Sequence, residues 1–210
     1  MAGAMSHTAQ RERPLRYVGK SIPRLDAFDK VTGRALYPGD LARPGMLYMK
    51  ILFAGRPHAR IVNLDTRRAL AGPGVVAILT AQDIPNNEYG LALAVQPVLC
   101  DRIARFEGDQ VALVVAETPK AARRACDKID VVYEDLPIVS DPRAAMRAGS
   151  PLVHDNRESN ILDSHQIRKG DITKGFAEAD VIVSGEYYLP MQEHAYLQPE
   201  AGLAYMEGDK

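Results

Sequence analysis

The sequence predicts an α+β domain of mixed sheet and helices, and three observations lead there. Short apolar segments rich in β-branched residues alternate with short helical ones from about Tyr17 to Ser140. Within that stretch, residues 110–137 read as strand, helix and strand in quick succession. Hydrophobic residues make up 46% and charged ones 25% of 210 residues, the balance of a globular chain able to bury a sizeable core.

Residues 1–17, with Arg11, Arg13, Arg16 and Pro14, read as a solvated, disordered tail. MLYMKILFAG (46–55) is an apolar strand that ends at Gly55. ARIVNLD (59–65) alternates as a half-buried strand does, with Ile61 and Asn63 on one face and Val62 and Leu64 on the other. TRRALA (66–71) is a helical turn capped by Asp65 or Thr66 and stopped by Gly72-Pro73. VVAILT (75–80) is a buried strand by its β-branched content, and Thr80 caps the turn that follows. Residues 86–104 read as a long irregular connection.

QVALVVAET (110–118) is a strand, and Pro119 opens a helix where its missing N–H costs nothing. That helix, 119–129, places Ala122, Cys126 and Ile129 on one stripe. DVVYEDLP (130–137) has strand character again, so the unit reads as a crossover, right-handed if the two strands lie parallel. No glycine-rich loop separates Val115 from Pro119, which excludes a dinucleotide-binding reading. PRAAMRAG (142–149) is a short helix ended by Gly149, and the polar stretch 150–169 is a linker. GDITKGFAEAD (170–180) is an amphipathic helix, VIVSGEYYLP (181–190) a strand, MQEHAYLQPEA (191–201) a loop, and GLAYME (202–207) the start of another strand. Gly208-Asp209-Lys210 looks like a hairpin turn whose returning strand lies in a missing remainder.

Charge and composition exclude several classes. Twenty-six basic against twenty-seven acidic side chains give a net charge of −1, which argues against a nucleic-acid partner. No apolar run is long enough to cross a bilayer. The first residues lack the apolar core of a secretory signal, and they lack the adjacent arginines of a twin-arginine signal, so a cytoplasmic location is expected. The two cysteines, Cys100 and Cys126, are too few for an iron–sulfur or structural zinc site and are expected as ordinary buried thiols.

Four segments, in this order, resemble the large subunit of the xanthine dehydrogenase/aldehyde oxidase family of molybdenum hydroxylases. GKSIPRLDAFDKVTGRALYPGDL (19–41) looks like the family's opening, with Arg24, Asp26, Lys30, Thr32, Gly33 and Ala35 in place. GRPHARIVNLDTRRALAGPGVVAILTAQDIP (55–85) is similar in its Pro-His-Ala and Asp-x-x-x-Ala pattern. Residues 106–141 resemble the family's Gly-Asp-x-Val-Ala strand and its Tyr-Glu-x-Leu-Pro ending, and 170–205 resemble the junction into the cofactor-binding region. The resemblance implies an α/β hammerhead domain over 18–149, the linker 150–169, and the incomplete beginning of a molybdopterin-binding domain over 170–210. It also implies a hetero-oligomeric enzyme. Molybdenum–molybdopterin would be shared with the remaining large-subunit portion, and FAD and 2Fe–2S would sit only on partner chains, a FAD subunit and an iron–sulfur subunit. Neither nucleic acid nor membrane is expected among the partners.

The family's reaction inserts a water-derived oxygen at an electron-poor carbon of an aldehyde or N-heterocycle, which calls for hydrogen-bond donors near the metal's oxygens and a carboxylate base. Within this chain the resemblance assigns that work to MQEHAYLQPE (191–200). Gln192 matches the family glutamine whose amide approaches an oxo ligand; the plainer reading makes it a cap for the loop after Pro190. Glu200 is a candidate active-site carboxylate or an ordering group for the turn with Pro199. Many relatives have Glu-Pro where this chain has Gln198-Pro199, which leaves open which acid faces the pocket. His194 beside Glu193 is read as a packing or supporting group, and His58, His154 and His165 as structural; no side chain is expected to ligate metal. The family's glycine-rich cofactor loop and its late catalytic glutamate have no counterpart here, so the chain is expected to be inactive alone. The alternative is a non-catalytic hammerhead scaffold that binds partner subunits, and a longer protein cut at Lys210 is a third reading.

Overall fold

The computed structural model describes residues 15–91, 93–197 and 199–208. Most of the expected tail and the last two residues of the expected hairpin turn lie outside them. The chain divides into two compact units, Met1–Ala42 with Pro190–Lys210, and Arg43–Leu189.

In the first unit, α1 (Ala27–Val31) is a single turn of helix. Asp26, at its start, takes ion pairs from Arg24 at 3.2 Å and Lys30 at 2.6 Å. A 3-10 turn, Pro38–Asp40, follows, in which the Asp40 carboxylate accepts from the Tyr37 N–H at 3.0 Å.

The second unit holds β1 (Tyr48–Phe53), β2 (Ala59–Asp65), α2 (Arg67–Leu70), β3 (Val75–Leu79), β4 (Glu88–Tyr89), β5 (Gln96–Pro97), β6 (Ile103–Ala104), β7 (Gln110–Ala116), α3 (Pro119–Cys126), β8 (Asp130–Asp135), α4 (Pro142–Ala145) and α5 (Ile172–Glu178). The strands form two three-stranded antiparallel sheets, ordered β1-β7-β3 and β6-β2-β8, with β4 and β5 as a small separate pair. The connection 86–104 thus contains β4, β5 and β6 rather than being wholly irregular.

The expected crossover is corrected by this topology. Strands β7 and β8 do not share a sheet: β1 and β3 occupy both edges of β7, so after α3 the chain pairs β8 with β2 in the second sheet. The strict alternation expected for β2 also fails. A register shift between Ile61 and Asn63 is a β-bulge, which turns Ile61 and Leu64 both toward the core and leaves Val62 exposed.

Local chemistry sets the element ends. Asp65, rather than Thr66, serves α2: its carboxylate accepts from the Arg67 N–H at 3.0 Å, while Thr66 makes no side-chain cap bond. The Asp83 carboxylate accepts from both the N–H (2.7 Å) and the hydroxyl (3.0 Å) of Thr80. Thr118 Oγ1 accepts from the Ala121 N–H at 3.1 Å, and Pro119 takes the first helical position of α3.

The core follows from β7. Ala112, Val114 and Ala116 face α3, whose buried stripe is Ala122, Ala125 and Cys126, continued by Ile129. Val111 packs with Ala54 and Ala104, and Leu64 and Val131 pack against both groups, joining the two sheets into one interior. The facing residues of α3 and β7 are mostly alanine, so helix and strand approach closely and leave little room for larger side chains.

After α4 the chain has neither helix nor strand until α5. Its first part is nonetheless held. Arg105 Nε donates to the Val153 carbonyl at 2.9 Å, and the Asn160 amide donates to the carbonyls of Ala145 (3.1 Å) and Pro151 (2.9 Å) while its oxygen accepts from the Val153 N–H (2.9 Å). Beyond Glu178 no strand forms among the described residues, which corrects the strands expected over 181–190 and 202–207. A strand needs a neighbour for its backbone ladder, and no described segment pairs with this one. Its apolar side chains stand in solvent: Val183 is 87% and Tyr187 90% exposed. No helix of the described residues is long and apolar enough to cross a membrane.

Candidate functional site

The described residues of 190–201 lie in the first unit as coil: Pro190 and Pro199 remove backbone donors, and no described strand pairs with them. Gln192 is exposed and makes no hydrogen bond among the described residues. No described residue of the loop pairs with its amide. Glu193 accepts from the His194 N–H at 3.0 Å. The His194 ring stacks on Tyr196, with centroids 5.4 Å apart and planes 6° apart, spanning Ala195, which has a positive φ of 50°. His194 accordingly packs within its own loop. Glu200 lines a shallow cleft of ≈ 420 Å³ with Tyr196, Pro199 and Ala201. Gln192 does not line that cleft, so the two candidate residues share a segment without sharing a pocket. Gln198 lies outside the described residues.

Could this segment hold a molybdenum–pterin group? Gln192 supplies an uncharged donor suited to an oxygen acceptor, and no described group of three or more His, Cys, Asp or Glu side chains could hold a metal ion. That donor set suits a cofactor whose metal is carried by its own ligands. Among the described residues the segment forms no enclosing cradle.

Other titratable groups lie in the second unit. Cys100 and Cys126 are buried free thiols, as expected. Burial, with the Asp109 charge beside it, pushes the Cys100 thiol up to about 12, and burial also raises that of Cys126. His58 is buried with Nδ1 2.6 Å from the Pro137 carbonyl, tying the end of the 130–137 segment to the start of β2. His165 lies 2.9 Å from Asp163 on the surface. Half-buried His154 lines a cleft of ≈ 840 Å³ between α4 and the 153–164 segment. Burial, then the Arg105 and Arg157 charges, lowers its pKa.

The apolar stripe of α3 does not reveal what its other face carries. Lys120, Arg124 and Lys128 recur every fourth residue and line a notch of ≈ 250 Å³ against Gly72, Pro73 and Val75. The spacing of these cations in the sequence is the signal that marks the notch.

Comparison with known proteins agrees with this architecture. Residues 32–137 match the family model described as "Aldehyde oxidase and xanthine dehydrogenase, a/b hammerhead domain", and residues 153–210 match "Molybdopterin cofactor-binding domain". The chain is 39% identical over 187 residues to a probable xanthine dehydrogenase subunit of Bacillus subtilis, covering 89% of this chain and 25% of that protein. It is 33% identical to the nicotinate dehydrogenase large molybdopterin subunit of Eubacterium barkeri, covering 91% of this chain and 45% of that one. Among solved structures, quinoline 2-oxidoreductase from Pseudomonas putida 86 superposes with a TM-score of 0.70 at 31% identity, over 80% of this chain and 22% of that one. The chain thus spans between about a quarter and under half the length of these relatives. Hammerhead and cofactor-binding matches in sequence order mean that the chain belongs to the xanthine dehydrogenase/aldehyde oxidase family, as the N-terminal part of a molybdopterin-binding large subunit.

Proposed function

We propose that this chain is one part of a molybdenum-cofactor hydroxylase that oxidises an aldehyde or N-heterocycle with water as oxygen source, and that it is inactive alone. The observation that carries the reading is the pair of family matches in order, a hammerhead followed by the start of a cofactor-binding domain. Relatives named for xanthine, nicotinate and quinoline stand beside others named for aldehydes, so both substrate classes belong to the proposal. The remaining large-subunit portion supplies the other walls of the site, with FAD and 2Fe–2S on partner subunits. We further place the hammerhead at 18–149, the linker at 150–169 and the start of the cofactor domain at 170–210.

When bound, the molybdenum cofactor supplies the Lewis acid and the electron sink. Gln192 donates an amide hydrogen bond to an acceptor oxygen of the cofactor and so orients it. Being uncharged, the amide does this without competing for the metal. Glu200, beside Tyr196 and Pro199, is the carboxylate of this chain placed to accept a proton, the weaker of the two assignments because it lies on a separate cleft. The exposed apolar segment Val181–Leu189 fits this reading, since it needs a covering polypeptide to bury its side chains and pair its backbone.

The test is Gln192→Ala in the assembled enzyme. Loss of one preorganised donor lowers turnover by about 10²–10³. Because Gln192 bonds nothing among the described residues, melting temperature and molybdenum content are expected to stay unchanged. Full turnover at unchanged molybdenum content refutes the assignment.

A further inference from the structure

Several described cations are neutralised by carboxylates of the same chain. Arg24 and Lys30 meet Asp26, Arg56 meets Asp135, Arg60 meets Glu134, and Arg68 meets Asp130. Arg102 and Arg105 reach Asp155, Arg143 pairs with Glu186, and Lys174 with Glu178. Others have no such partner among the described residues, and three of these lie together on helix α3 and its closing turn. Lys120, Arg124 and Lys128 are all exposed, and none forms an ion pair among the described residues, although Glu117 and Asp127 lie close in sequence.

The three line one notch. Its floor is apolar, made by Pro73, Val75, Ala121 and Ala125, and its rim is basic. Residues four apart on a helix are separated by about 6 Å along the axis, so Lys120 and Arg124 stand one turn apart, and Lys128 extends the row beyond that from the closing turn. A single phosphate or carboxylate cannot span that length. In an extended chain, alternate side chains on one face repeat about every 6.6–6.8 Å. An extended segment with acidic residues at every second position therefore matches the ladder's spacing and complements its charge.

We propose that the notch beside α3 is a docking surface for an acidic, extended polypeptide segment of a partner protein, with Lys120, Arg124 and Lys128 as its charge readers. The apolar floor accepts a small side chain of that segment, and the small-residue packing of α3 on β7 fixes the helix that carries Lys120 and Arg124. This inference uses no part of the cofactor site and stands independently of it.

The experiment measures fluorescence anisotropy of the labelled hexapeptide Val-Glu-Val-Glu-Val-Glu against the full chain at low salt, with the Val-Gln-Val-Gln-Val-Gln peptide as comparison. The glutamate peptide is expected to bind, the glutamine peptide not, and added salt to weaken the complex. The variant Lys120→Glu/Arg124→Glu/Lys128→Glu is expected to weaken binding about tenfold or more, since three exposed charge pairs are lost. The charge-matched variant Arg147→Glu/Arg168→Glu/Lys169→Glu, at exposed positions that do not line the notch, should leave it within about twofold. Circular dichroism of both variants confirms the fold. Equal binding of the two peptides, equal loss in both variants, or binding of inorganic tripolyphosphate through the ladder without binding of the glutamate peptide overturns the proposal.

Discussion

Cys100 and His154 show how far a few ångströms of protein shift ordinary chemistry. The Cys100 thiol is 2% exposed and, through burial and the nearby Asp109 charge, ionises only at about 12. Thiolate is the reactive form, so neither buried cysteine should react with Ellman's reagent at pH 8 in the native state, and both should react in denaturant. Rapid native labelling of one thiol would contradict the burial described. His154 runs the other way: burial and two flanking arginines disfavour the imidazolium, so its folded pKa lies below 6.5. The unfolded chain then takes up the proton first. The stability this gives is complete above pH 6.5 and is lost as pH falls through the lower folded value. Asp155 and Asp109 act in the opposite direction and weaken the effect. Thermal melts between pH 7 and 5 should show wild type losing stability faster than His154→Gln; parallel curves would remove His154 as the cause.

At the scale of elements, the α3–β7 contact controls the interior. Ala122 is 1% exposed against Ala112 and Ala116, so Ala122→Leu has no space and should cost about 1–3 kcal/mol in urea unfolding. Thr118→Ala removes the bond to the Ala121 N–H and should cost about 1 kcal/mol. The strands of the hammerhead region and its caps were legible in the sequence because β-branched runs, Thr-Pro and Gly-Pro act locally. Strand pairing was not, because which sheet β8 joins depends on β1 and β3 already occupying β7, a relation between segments far apart in sequence. The β2 bulge was hidden for the same reason, and Val181–Leu189 has strand composition but no neighbour to make it one. Gln192 was legible only through resemblance, since a glutamine in a loop carries no signal by type. Trypsin gives a direct reading of these elements. Arg105 and Asn160 pin residues 151–160, so the first cuts should fall at exposed Arg168 and Lys169, and cleavage inside 110–137 before them would overturn the domain boundaries proposed.

For the whole molecule, a well-packed hammerhead region contrasts with a C-terminal segment whose apolar residues and candidate donor stand exposed. The relatives it matches are longer, and the proposed function joins this chain to the polypeptide that supplies the rest. The central claim is that cofactor binding is a property of that assembly. Elemental analysis tests it most directly, on the chain purified alone and on the chain co-expressed with the remaining portion of the large subunit and its partners. The account predicts no molybdenum in the first sample and a stoichiometric amount in the second. Stoichiometric molybdenum in the chain alone, or none in a folded assembly that contains it, would contradict the account.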